Sequence, residues 1–272
     1  MVSDLRLAKR LSQSALAVVL GLSFCVSSFS QGDNAEARAK DVVTRLANVQ
    51  RNWGAPMNSP GASVSLRQTS TRKIENHTAI VYRLFATGLP KDKVYDLLAT
   101  SFDLQPTPSL TGITLDATGQ AICAGRQDTC GDPQKPNDPV NLVVLAARGE
   151  PKRFSLVSED GQAKAFVSVV PFPIIETDRG CAAEAILLLA DAGAVLIHGS
   201  GFGPNTAVHF VGDSGGEEQQ GDFNVDADGS FYNGLLPYTN GKTTGATKVT
   251  LTSQSCSPSL TFKWGKDSYQ LQ

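Results

Sequence analysis

Histidine, cysteine and tryptophan are all scarce in this sequence, and the shortages remove classes of chemistry. Three histidines in 272 residues, His77, His198 and His209, have no second imidazole at i+2 or i+4, so they offer no metal centre. No C-x-x-C pair suggests structural zinc either. After residue 30 no apolar run reaches the roughly 20 residues that a membrane-spanning helix needs. A basic stripe that would track phosphates is also missing, and "KDK" at 91–93 reads as a solvated turn. The expectation is therefore no nucleic acid, no transmembrane segment, no metal and no cofactor.

What is present begins with an export pattern. Arg6, Lys9 and Arg10 precede "ALAVVLGLSF", the length of a signal h-region. "SFS" at 28–30 puts small residues at −3 and −1 of a cut before Gln31. Phe24 is too bulky to precede a lipid-anchored cysteine at Cys25. Cleavage near Ser30 predicts a secreted, periplasmic or cell-envelope protein. It removes Arg6, Lys9, Arg10 and Asp4 from the 24 basic and 26 acidic residues, leaving 21 against 25 and a formal charge of −4.

The five cysteines become four on cleavage, and an even count in an exported chain predicts disulfides. Three pairings are possible, and local pairing is expected: Cys123 with Cys130, Cys181 with Cys256. The longer loop contributes ~4–5 kcal/mol in the chain-entropy picture and the shorter ~2.5.

Residues 1–30 are thus read as a signal and 31–58 as a helix or spacer. Within the latter, "NAEARAKDVVTRLANVQRNW" carries helical spacing at Val42, Leu46 and Val49, with Val43 beside them. "GAPMNSPG" then breaks the helix. Beyond residue 60 the apolar period shortens to two. "SVSLRQ", "TAIVYRLFATG", "RFSLVS", "AKAFVSVV", "TAVHFVG", "TKVTLTS" and "SLTFKW" alternate between turn-rich pieces such as "EDGQ" and "DADGS". "KVYDLLA" suits a short helix or a strand. Many short strands with little helix between them predict an all-β fold, two tandem immunoglobulin-like β-sandwiches. The prolines and charged, glycine-ended tail of "VPFPIIETDRG", 170–180, mark the boundary. This gives a first sandwich at 59–175 and a second at 176–272. In "LTFKW", Leu260, Phe262 and Trp264 share the core face.

"FVGDSGGEEQQ", 210–220, contains the GDSGG that surrounds the nucleophile of trypsin-like serine proteases. His77, Asp116 and Ser214 also follow the His–Asp–Ser chain order of that family. A nucleophile of this kind needs an imidazole, a buried carboxylate and oxyanion amides held rigidly around it. Here the histidine context is "IENHTAI", with no neighbouring cysteine, and GDSGG runs into "EEQQGD" rather than proline and an apolar strand. Two acids and two amides are not buried without partners. Ser214 is therefore read as a residue of a glycine-rich turn opening into a charged loop, and the chain as a non-enzyme. A hydrolase built on Ser214, His77 and Asp116 is the rival. "IHGSGFGPN" does not match the G-x-S-x-G elbow of lipase-like hydrolases.

"VLIHGSGFGPNTAVHFV", 195–211, resembles the IPT/TIG group of immunoglobulin-like domains: a strand, Gly-x-Gly-Phe, a polar turn, and a second strand ending in an apolar pair. Gly199, Gly201, Phe202, Pro204, Asn205, Val208 and Phe210 carry the match. "DADGSFYNGLLP" and "GATKVTLTS" extend it, so that it covers about residues 185–253. A generic bacterial immunoglobulin-like module fits nearly as well. The resemblance implies that Phe202 plugs the end of a sandwich and that the chain is a binding or spacer module, and it names no ligand; the expected partner is an unknown protein or glycan.

Three further candidates remain. Loop 123–139, "CAGRQDTCGDPQKPNDP", presents Arg126, Gln127 and Asp128 on a disulfide-tied, proline-stiffened tip suited to recognition. Asn224, Asp226 and Asp228 alternate before Gly229 like the start of a calcium loop, but Leu235 stands where the closing acid belongs, so a strand turning at Asp-Gly is the simpler reading. Tyr232 and Tyr238 are candidate sugar-stacking aromatics for a carbohydrate-binding module.

Overall fold

The computed structural model describes residues 30–123, 137–266 and 268–272, with side chains from residue 37 onward. Helix α1 (Ser30–Asn52) leads into a short 3₁₀ turn and eight strands: β1 (Ser63–Ile74), β2 (His77–Thr87), β3 (Tyr95–Thr100), β4 (Pro106–Leu115), β5 (Ala121–Cys123), β6 (Asn141–Val144), β7 (Lys152–Ser158) and β8 (Lys164–Val169). Eight more follow: β9 (Ile174–Asp178), β10 (Cys181–Leu187), β11 (Val195–Ser200), β12 (Ala207–Ser214), β13 (Glu217–Asn224), β14 (Phe231–Leu235), β15 (Thr244–Thr252) and β16 (Ser259–Gly265). Every pairing of these strands is antiparallel.

The alternating sequence pattern is what closes two sandwiches. Sheet β1-β2-β6 and sheet β5-β4-β3-β7-β8 share one core, with Leu84, Tyr95, Leu97, Ile113 and Leu156 at its centre. Sheets β14-β11-β10-β9 and β13-β12-β15-β16 enclose a second core around Ile197, Val208, Val249, Leu251 and Leu260. "KVYDLLA" resolves as strand β3, and "LTFKW" as predicted, with Leu260, Phe262 and Trp264 inward and Thr261 and Lys263 outward. Cys181 and Cys256 form a disulfide across the second sandwich, their Cα atoms 6.2 Å apart. Cys130, and with it the expected 123–130 pairing, lies outside the described residues.

Two segments differ from the sequence reading. The stretch 170–180, read as a linker, supplies β9 in its second half; β9 ends its sheet, a place that tolerates nearby prolines. The N-terminal segment is a 23-residue helix, and its buried residues are Val43, Leu46 and Gln50, with Val42 exposed. The reason lies in the sheet it covers. Ala183, Ala185, Leu187, Val195 and Ile197 face the second core, while Ile186, Leu188 and Leu196 point to the opposite side and pack on Val43 and Leu46. "AILLLADAGAVLI" is apolar on both faces because a helix lies on the outer one.

The far end of α1 reaches the first sandwich. Gln50 accepts a 2.7 Å hydrogen bond from Arg153 Nε and donates to Ser168 Oγ at 3.2 Å. The Trp53 ring meets Phe166 edge-on at 5.5 Å. Arg153 is nearly sealed from solvent, and burial lowers its guanidinium pKa to about 10 against the opposing charge of Glu150.

A second tie runs back from the C-terminus. The Tyr269 hydroxyl donates to buried Glu150 at 3.0 Å, and its ring lies against Phe102. Leu271 bridges to Ala147, and Gln272 donates its amide to the Ala146 carbonyl while its own carbonyl accepts from the Thr78 amide. Residues 38–272 accordingly form one compact unit.

Trp264 is 5% exposed, so Trp264→Ala is expected to cost ~3–5 kcal/mol in denaturant unfolding; a neutral result would mean the face is wrongly assigned. Burial first, then the Glu150 charge and hydrogen bond, push the Tyr269 hydroxyl up to about 12. The folded chain thus holds this proton more tightly than the unfolded one, whose tyrosine titrates near ~10. Its contribution is whole below about pH 10 and is lost as pH rises from about 10 to about 12. Urea unfolding across that window should show a shallower loss for Tyr269→Phe than for the unsubstituted chain.

Candidate functional site

Ser214 sits in neither a loop nor a cleft. It is the last residue of β12, 1% exposed. Its hydroxyl shares a 2.5 Å hydrogen bond with the hydroxyl of Thr247, itself fully buried on β15. The chain reverses through Gly215 and Gly216, with φ of 65° and 96°, and Ser214 pairs directly with Glu217. Two consecutive residues at positive φ are what a two-residue hairpin turn of right-handed twist requires, so the glycines belong to the turn and the serine does not.

"EEQQGD", expected as a charged loop, is strand β13. As the end strand of its sheet it alternates, with Glu218, Gln220 and Asp222 exposed. Glu218 and Asp222 are solvated on that face, and Glu217, half-buried on the other, accepts a 2.6 Å bond from the Asn240 amide, so no acid of the strand is left buried without a partner. Gly212, also counted with the turn, lies inside β12 against the Phe210 ring.

The other members of the protease-like trio are elsewhere. His77 opens β2, and Asp116 follows β4, both in the first sandwich, whereas Ser214 belongs to the second. Asp116 Oδ1 accepts bonds from the Thr118 amide and hydroxyl and the Gln120 amide, which hold its carboxyl below the usual range. That is a tied turn, not an imidazole orienter. Around "HGSGF", Gly199 is a β11 residue where a Cβ would overlap the Phe231 ring. Phe202 is buried at the sandwich end beside Phe231 at 5.8 Å, and Phe231 stacks on Phe223.

The remaining predicted positions separate cleanly. Arg126, Gln127 and Asp128 lie outside the described residues. Asn224 ends β13; Asp228 accepts the amide and hydroxyl of Ser230, and Asp226 pairs with Arg51 at 3.3 Å. No group of three potential metal-ligating side chains converges among the described residues. Tyr238 is 53% exposed. Tyr232 is half-buried, with His198 stacked on its ring at 4.5 Å and the Arg51 guanidinium 5.3 Å from its centroid, so it is no free stacking platform. His198 also meets Glu184 at 3.3 Å, and His209 projects outward to Asp222 at 2.8 Å.

The contacts of Tyr232 mark a place that sequence reasoning missed. A cavity of about 390 Å³ opens between α1 and β14. Val43, Ala47 and Arg51 supply one wall, Tyr232, Gly234 and Leu236 the other. The i, i+4, i+8 spacing of the first set and the alternation of the second are visible in the sequence. What was not visible is that these two segments, about 190 residues apart, face each other. A second cavity of about 450 Å³ flanks the helix end and includes Trp53, Ser168, Ile175, Glu184 and His198.

No family model matches the chain, and no curated protein does. Among solved structures, a tetra-tandem repeat in the extending region of a large adhesion protein is similar over 75% of this chain at 13% identity, TM-score 0.24. The chain spans about half the length of that protein, 50%. Chicken interferon gamma receptor alpha chain is similar over 74% of this chain and 98% of its own, at 7% identity and TM-score 0.20. Nothing of their function transfers at these scores.

The Ser214–Thr247 pair gives a direct test of the core assignment. Ser214→Ala leaves a buried threonine hydroxyl without this partner and should cost about 1–3 kcal/mol. Adding Thr247→Val should recover part of that loss, because removing both hydroxyls leaves nothing unpaired. Denaturant midpoints of the four chains measure it; additive losses would contradict the pair.

Proposed function

We propose that this chain is an exported, non-catalytic immunoglobulin-like module with a structural or ligand-binding role at the cell envelope or outside the cell. The observation that carries the reading is Ser214 sealed in the core and bonded to Thr247, with His77 and Asp116 on the other sandwich. A hydroxyl that solvent does not reach, without an imidazole beside it, has no route to acyl transfer. The Cys181–Cys256 disulfide supports an oxidising compartment, in keeping with signal cleavage near Ser30. The division into sandwiches, drawn from the sequence at 59–175 and 176–272, is part of the same proposal, with the boundary moved ahead of β9, whose Ile174 packs in the second core. So is an IPT/TIG-type or generic bacterial immunoglobulin-like assignment for the second, supported by buried Phe202 and by Gly201 at φ 74°.

A fluorophosphonate probe is expected to leave the chain unlabelled, and the exported form is expected to begin at Gln31 by N-terminal sequencing. Labelling that disappears in Ser214→Ala would replace this reading with a hydrolase.

A further inference from the structure

We infer that the chain associates head to tail with a second copy of itself, the basic edge of β1 in one copy pairing with the acidic edge of β13 in the next. The inference goes beyond the non-catalytic reading and does not depend on it. Edge, charge and register each contribute.

Both strands are open edges. β1 ends its sheet beside β2, and β13 ends its own beside β12. On its other side neither makes a main-chain hydrogen bond to the described residues. Such an edge presents unpaired amides and carbonyls that a strand of another chain satisfies. From Arg67 to Lys73 every residue of β1 is exposed, so this part of the ribbon stands clear of the core on both faces. On β13 the outward residues Glu218, Gln220 and Asp222 are exposed.

The two edges carry opposite charge. Hairpin 63–87 holds Arg67, Arg72, Lys73 and Arg83 against Glu75 alone, whereas β13 holds Glu217, Glu218 and Asp222 and no cation. Arg72 and Glu218 form no hydrogen bond or ion pair with the described residues. Arg67 lies 4.2 Å from the centroid of the Phe85 ring, a contact that does not neutralise its charge. Asp222 bonds His209 through Oδ1 and keeps Oδ2 for a further donor. Arg67 and Arg83 also stand directly opposite each other across β1 and β2. Like charges so placed are destabilising, and a carboxylate from a neighbouring copy relieves them.

Register makes the match specific. Residues five apart on a regular strand point to opposite faces. The bulge at Thr69 instead puts Arg67 and Arg72 on one face, opposite Arg83 and Ala79, four rows apart. Glu218 and Asp222 are likewise four rows apart, opposite Asp213 and His209. Each pair thus spans about 13 Å at ~3.3 Å per row. Antiparallel addition of β13 to β1 sets Arg67 opposite Asp222, Ser70 opposite Gln220 and Arg72 opposite Glu218. All of these side chains lie on the faces turned away from the two cores. Because two different edges meet, the contact is heterologous and propagates from copy to copy.

Sedimentation velocity of the purified chain at rising concentration tests this. The weight-average mass should climb with concentration in low salt, and molar salt should weaken association at least tenfold. Arg67→Glu with Arg72→Glu, and separately Glu218→Lys with Asp222→Lys, should each weaken self-association at least tenfold while leaving the thermal midpoint in place. An equimolar mixture of the two variants should associate again, as should one chain carrying all four changes. Under oxidation, Ser70→Cys and Gln220→Cys chains should cross-link when mixed and not when alone. If a charge-reversed chain loses its thermal midpoint, this cysteine pair decides, since neither substitution adds charge. Four results would overturn the inference: a monomer at every concentration, unchanged self-association of either reversed chain, a mixture of folded variants that stays monomeric, or cross-linking of Ser70→Cys chains alone. A monomer that fluorophosphonate leaves unlabelled sinks this inference and not the non-catalytic reading; labelling lost in Ser214→Ala does the reverse.

Discussion

A sheet that is apolar on both faces has to be covered twice, and that requirement at β10 and β11 organises the rest of the molecule. Their inner residues close the second sandwich, and their outer ones, Ile186, Leu188 and Leu196, require a further layer. α1 provides it with Val43 and Leu46. Fixing the middle of the helix there fixes its end, where Gln50 and Trp53 contact the first sandwich. The buried Arg153–Gln50 bond adds geometric precision more than stability, since a guanidinium removed from water regains little in net terms. The same docking leaves a slot beside β14.

Much of the fold was legible because alternation is a direct record of burial on a half-exposed strand. "LTFKW" gave its inward face residue by residue, and the Asp-Gly and Gly-Gly turns fell where positive φ was needed. The apolar run at 185–197 was less informative. A continuous run is the signature of two covered faces, but it does not say what covers the second one. Within α1 the apolar positions alone favoured a stripe through Val42. The true face passes through Val43, Leu46 and Gln50, because Gln50 is turned inward to meet Arg153.

The site was read less well, for two different physical reasons. GDSGG marks a glycine turn in both sequence and structure, but the polar run after it points to a loop, whereas Ser214 is buried at the end of β12. Edge strands break that inference: β13 is polar on one face and still forms part of the sandwich. The cavity beside β14 depends on non-local contacts that no local pattern encodes, since Arg51 and Tyr232, which meet there, are far apart in the chain.

Chain order gives α1 a further property. Leu46 leaves the ribosome about 140 residues before Ile186, the residue it packs against. At ~5–20 residues per second, the helix spends about 7–28 seconds without its sheet. Contacts this distant along the chain form late and slow folding. During that interval Val43 and Leu46 lack the apolar sheet face that buries them in the folded chain.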